Sequence, residues 1–214
     1  MTDTATAPAA AAAAPQLSKH RIEALVDGIF AVAMTLLVIE LRLPEHANAH
    51  SNAELLGVLQ ELAPTFISWV LSFGVLALYW TANHRLYSYV RHVDTPLLWY
   101  TILLLAGASL LPFASAVNSR YLSQLAQVVY ASVMCLMSIG SLLVATRIYR
   151  HPELCAHPMD KATYIAACTR TCIMIVIAIA TVVVAGHVVG IANSAFMLLF
   201  FARPISNLLT RRLR

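Results

Sequence analysis

Between Ile22 and Leu43 the chain holds a run of apolar residues about as long as a bilayer's hydrocarbon core is thick, and four more such runs follow it, with a sixth close behind. A helix of about 20 apolar residues spans that core, and no water-exposed fold accommodates so many in succession. Composition agrees: 60% of the 214 residues are hydrophobic and 11% charged, against about 25% charged in an ordinary soluble domain. The expected fold class is therefore all-α, a polytopic membrane protein of six transmembrane helices. The spans are expected at about Ile22–Leu43, Pro64–His84, Pro96–Val117, Leu122–Ile148, Tyr164–Gly186 and Val188–Leu209. Asn52 to Leu62, NAELLGVLQEL, reads as an amphipathic extension at the interface. Residues 1–18 form an Ala/Pro/Thr-rich tail without the basic start and long apolar core of a secretory signal, and are expected to be disordered. Residues 19–214 form the transmembrane domain.

The formal charge of +4 reports topology here, not nucleic acid, because no basic stripe with interleaved aromatics occurs. With the N-terminus cytoplasmic, eleven of the fourteen basic residues fall on the cytoplasmic side. Arg42 and Arg120 fall outside, and Arg170 lies within or beside the fifth span. This is the positive-inside bias, and it places both termini in the cytoplasm. Tyr87, Tyr89, Trp99 and Tyr100 are expected as interfacial anchors at that side. Cys135, Cys155, Cys168 and Cys172 lack zinc-module spacing and read as small core or loop residues. His151, Cys155 and His157 share one loop, for which a plain cytoplasmic connection is preferred over a metal site. No cofactor, metal or catalytic constellation is expected, and the chain is not read as an enzyme.

The first span carries the most information. Gly28, Val32, Thr35, Leu36, Ile39 and Leu43 fall along one stripe of a helix with 3.6 residues per turn. Asp27 lies about 140° around from Val32, so the carboxylate and the stripe face different neighbours. A carboxylate within a span is expected to face the bundle interior with a partner. Trp80 and His84, four apart on the second span, lie at a similar depth and are the candidate partners.

Arg21, Asp27, Gly28, Phe30, Ala31, Thr35, Leu36, Leu37 and Glu40 together resemble the opening helix of the prokaryotic, six-helix branch of the transmembrane protein 175 family of potassium channels. Trp80 and His84 resemble that family's Trp/His signature on the next helix. The resemblance implies a passive, potassium-permeable cation channel: a homotetramer whose first helices line a central pore, with monovalent cations and the lipid bilayer as partners. Val32, Thr35, Leu36 and Ile39 would line that pore with an apolar constriction, and Glu40 would stand at its outer mouth. Arg21, Asp27, Trp80, Asn83 and His84 would hold the pore helix in place, in a bacterial inner membrane. The chain departs from the family pattern in two places. Leu25-Val26 precedes Asp27 where the family has Phe-Ser, and Asn83 stands where a second His is common. The alternative reading is a proton-coupled cation or small-solute transporter built on Asp27, His84 and Arg170.

Overall fold

The computed structural model describes residues 18–43, 50–121 and 123–187. Within them the chain is all-helical in architecture: α1 (Lys19–Leu36), α2 (Asn52–Glu61), α3 (Ala63–Tyr87), α4 (Thr95–Arg120), α5 (Gln124–Arg150) and α6 (Lys161–His187), joined by short connections. Five of these, all but α2, are long and apolar enough to cross a membrane. The expected sixth span, 188–209, and residues 1–17 of the tail lie outside the described residues, as do residues 44–49 between α1 and α2.

Helix ends follow local chemistry. Ser51 accepts the backbone N–H of Glu54 at 3.2 Å, and the Glu54 carboxylate accepts the N–H of His50 at 2.7 Å. This reciprocal cap starts α2. No residue of α2 is buried, as suits a helix lying along an interface. Pro64 sits in the first turn of α3, where its missing N–H costs nothing. Asp94 and Ser123 cap α4 and α5 by accepting the N–H groups of Leu97 and Ala126. Pro112 lies inside α4, which runs on to Arg120. The first span departs from a uniform α-helix. It tightens into a 3₁₀ turn over Leu37–Glu40, starting two residues after Thr35, which donates its hydroxyl to the Val32 carbonyl at 2.8 Å.

α4 and α5 form the most extensive pair, and α6 packs on α5 while α1 and α3 pack on α4. The α4–α5 approach is close because of two glycines. A Cβ on Gly140 would meet the Leu104 backbone nitrogen at 2.7 Å, and one on Gly107 would meet Met137 Cγ at 2.5 Å. Small residues serve this purpose between membrane helices, where no hydrophobic effect drives association. Hydroxyls join the same helices. Ser72 donates to Ser115 at 2.8 Å and lies 3.1 Å from the Tyr130 hydroxyl, linking α3, α4 and α5. Tyr79 bonds Ser138, and Tyr87 lies 2.6 Å from Thr101 Oγ1. Tyr87 is thus a buried helix–helix contact rather than the expected interfacial anchor; its ring spacing along α3 turns it toward α4. Trp99 is exposed.

At one end of the bundle the α3–α4 and α5–α6 connections are stitched together. Arg91 and His92 donate their N–H groups to the Leu154 carbonyl, Ala156 donates to Tyr89, and Val90 bridges Cys155. Beside this seam, Arg147 of α5 holds Asp94 through Nε at 3.0 Å and also reaches His151, whose Nδ1 lies 2.7 Å from Glu153. These contacts occupy His151 and the Cys155 backbone in joining loops. Among the described residues no His, Cys, Asp and Glu group has metal-site geometry.

The candidate pore helix and its support

α1 has two faces of opposite fate. Ile22, Val26, Phe30, Ala33 and Leu37, at helical spacing, are buried against the rest of the bundle. The other face lies open. Val32 is 57% exposed, Leu36 42% and Ile39 46%, and Gly28, Thr35 and Leu43 are exposed with them. The stripe read from the sequence is therefore no part of the protomer's core. Ala24, Leu25, Gly28, Val32 and Leu36 border an apolar groove of about 620 Å³, walled on its far side by Ile102, Leu105 and Ala106 of α4.

The support residues divide. The Trp80 indole N–H donates to Asp27 Oδ1 at 2.8 Å. This bond ties α1 to α3, and sets the start of α1 beside the end of α3. Of the two expected partners Trp80 takes the carboxylate directly. His84 instead stacks on the Trp80 ring, with centroids 5.8 Å apart, which fixes the indole that makes the bond. Asp27 is exposed on the protomer, so its partner is found at the bundle's margin rather than in its core. Asn83 is 2% exposed, and its Oδ1 has no hydrogen-bond partner among the described residues. With His20, Glu23, Asp27, Trp80 and His84 it lines a polar pocket of about 350 Å³. Arg21 is exposed and outside that lining. Glu23 pairs instead with Lys19 and His20, each at 3.6 Å.

At the other end of α1, Glu40 is paired with Arg120 of α4 at 3.1 Å. Arg42, much nearer to Glu40 in sequence, donates instead to the Ile39 carbonyl at 3.1 Å. The 80-residue separation of Glu40 and Arg120 hid the pair from sequence reading. The pair offsets the charge of Glu40.

The pattern of α1 recurs in known proteins. A family model described as endosomal/lysosomal potassium channel TMEM175 matches residues 21–112, which take in α1, α3 and most of α4. A potassium channel of Chamaesiphon minutus is 33% identical over 139 residues, covering 64% of this chain and 68% of that one. The chain belongs to the TMEM175 family. It is an integral membrane protein of an ion-channel family, not of an enzyme family. A potassium channel of Streptomyces collinus is 33% identical over 125 residues, 56% of this chain and 59% of that relative. The match to this second relative thus stops short of two thirds of its length. The TMEM175 likeness is also structural. The crystal structure of a lysosomal potassium-selective channel TMEM175 homologue from Chamaesiphon minutus superposes with a TM-score of 0.74 at 25% identity, over 88% of this chain and 98% of that one.

Proposed function

We propose that the chain is the pore-forming subunit of a passive, potassium-permeable cation channel, a homotetramer in which α1 of each copy lines a central pore. The observation that carries this reading is the open apolar stripe of α1 within a family of named potassium channels. One helix cannot enclose a pore, so the stripe requires other copies to complete it. Val32, Leu36 and Ile39 then form successive apolar rings, with the Thr35 hydroxyl between them. Such rings conduct when wetted and close by dewetting. Thr35 already donates its proton to Val32, so it presents oxygen lone pairs toward a passing cation.

The Asp27–Trp80 bond, backed by His84, acts as a positioning contact: it fixes the rotation of α1, and with it which residues face the axis. Glu40, offset by Arg120, marks the outer rim with little net field. The basic residues Lys19, Arg21, Arg85, Arg91, Arg147, Arg150 and Lys161 cluster at helix ends on one side, which supports a cytoplasmic placement of that side in a bacterial inner membrane.

Thiol accessibility tests the pore assignment. Cysteines at Val32, Leu36 and Ile39, placed one at a time in a background lacking the four native cysteines, should let a water-soluble thiol reagent block potassium flux. A cysteine at Ala33, on the buried face, should not. Equal block at both faces, or at neither, contradicts the assignment.

A further inference from the structure

The polar pocket between the start of α1 and the end of α3, about 350 Å³ in volume, is lined by Glu23 and Asp27 of α1 and Asn83 of α3, and by neither Lys nor Arg. Glu23 and Asp27 stand one turn apart on one face of α1. The Trp80 indole N–H occupies Asp27 Oδ1, and no donor among the described residues reaches Oδ2. Lys19 and His20 lie 3.6 Å from Glu23, beyond ordinary hydrogen-bond length. Asp27 has no ion pair among the described residues. Asn83 is an independent sign. It is almost wholly buried, yet its Oδ1 accepts no hydrogen bond among the described residues. A buried carbonyl without a donor is costly, and a folded protein keeps one where something else supplies the donor.

The missing partner is a donor-rich cation. The pocket of about 350 Å³ falls in the range of small-molecule sites, about 300–1,000 Å³. It is roughly ten times one water's share of the liquid, so a bare ion leaves most of it unfilled. Among the described residues no His, Cys, Asp and Glu group has metal-site geometry. A primary ammonium carries three N–H donors and no acceptor. Two carboxylates and an amide oxygen are its complement, and Ala24, Val26 and Trp80 wall the space for its carbon stem. Glu23 is four residues from the first residue of α1, and Asn83 four from the last of α3, or about 6 Å along either axis. That distance is about the thickness of the headgroup layer, which an ammonium reaches from water or on a lipid.

We propose that Glu23, Asp27 and Asn83 form a binding site for a primary ammonium group, carried by a free small amine or by an aminophospholipid headgroup. Binding is read without ion flux, so the site stands or falls separately from the channel reading. The full chain in detergent is tested by thermal unfolding with ethanolamine and with choline, and by native mass spectrometry with phosphatidylethanolamine and with phosphatidylcholine of the same acyl chains. The members of each pair differ in whether the charged nitrogen carries N–H donors. Wild type should be stabilised by ethanolamine and not by choline, or retain phosphatidylethanolamine in preference to phosphatidylcholine. The first result alone identifies a free amine as the occupant, the second alone a lipid, and either supports the site. Glu23→Gln should weaken binding of the preferred ligand roughly tenfold, the loss expected for one charge-assisted bond. Its pairs with Lys19 and His20 are solvent-accessible and contribute little to the fold, and an unchanged gel-filtration position checks this. Asn83→Ala should also weaken binding, whereas a carbonyl with no ligand could be removed without effect on it. Asp27 is left unchanged because it positions α1. No preference for primary over quaternary ammonium in either assay, or a preference undiminished in both variants, overturns the proposal.

Discussion

At the scale of single residues, the contact between Asp27 and Trp80 has the sharpest consequences. Because Asp27 is exposed, its bond is partly screened by surroundings, and about 1 kcal/mol is a fair expectation for its contribution. Trp80→Phe and Asp27→Ala should each lower the Tm of the solubilised protein, and the double variant should be little worse than the worse single one, since both remove one interaction. Fully additive losses would show that the two residues act separately. In the α5–α6 connection, Glu153 has a pKa held below the ordinary carboxylate range, first by its own backbone N–H and then by the His151 ring. A carboxylate with a depressed folded-state pKa stabilises the fold above its unfolded pKa, and that stabilisation is lost as pH falls through the folded value. Wild type should therefore have a higher Tm than Glu153→Gln at neutral pH, with the gap closing below about pH 4. A gap that persists in acid would contradict this. The sequence disclosed Asp27 and both its candidate partners because i, i+4 spacing and helix alternation set their depth. It did not disclose that Trp80 bonds while His84 stacks, since that depends on side-chain rotamers rather than register.

At the scale of helices, the prediction concerns close approach. An alanine at Gly140 puts a methyl into the Leu104 backbone, which cannot swing away as a side-chain end does. Gly140→Ala should cost about 1–3 kcal/mol of stability by overpacking. Gly57→Ala in α2, where nothing lies within 4 Å, should be neutral or stabilising by up to about 1 kcal/mol through helix propensity. Urea or thermal unfolding of the two variants in one detergent checks both; equal effects would contradict the packing account. Apolar run length placed α3 through α6 within a few residues, and the amphipathic NAELLGVLQEL segment placed α2. Three features escaped. Gly107 and Gly140 looked like any membrane-helix glycines, because which one meets a backbone depends on the crossing point. The 3₁₀ ending of α1 left no mark in an unbroken apolar run. Tyr87 looked like an interfacial aromatic because its hydroxyl partner, Thr101, comes from the following helix.

At the scale of the whole molecule, the described residues form a bundle with a basic end closed by a seam between two connections, and the apolar stripe of α1 lies open on it. Antiparallel alternation explains the first property: α1 starts where α3 ends, as the Asp27–Trp80 bond requires, and Glu40 meets Arg120 at the opposite end. The uncovered α1 face was visible in the sequence as a stripe, but periodicity alone left it open to lipid, core or pore. The structure removes core. Membership in the TMEM175 family and the named channels among its relatives favour pore over lipid. The central claim is thus that Val32, Leu36 and Ile39 border the ion path. It is tested most directly by potassium flux from liposomes containing the purified protein, with wild type beside Val32→Asn and Ile39→Asn and valinomycin defining the maximum. The account predicts passive flux in wild type that rises, or loses discrimination among monovalent cations, when an apolar ring is made polar. Flux that is unchanged by both substitutions, or absent from a verified folded oligomer under every cation gradient, would contradict it.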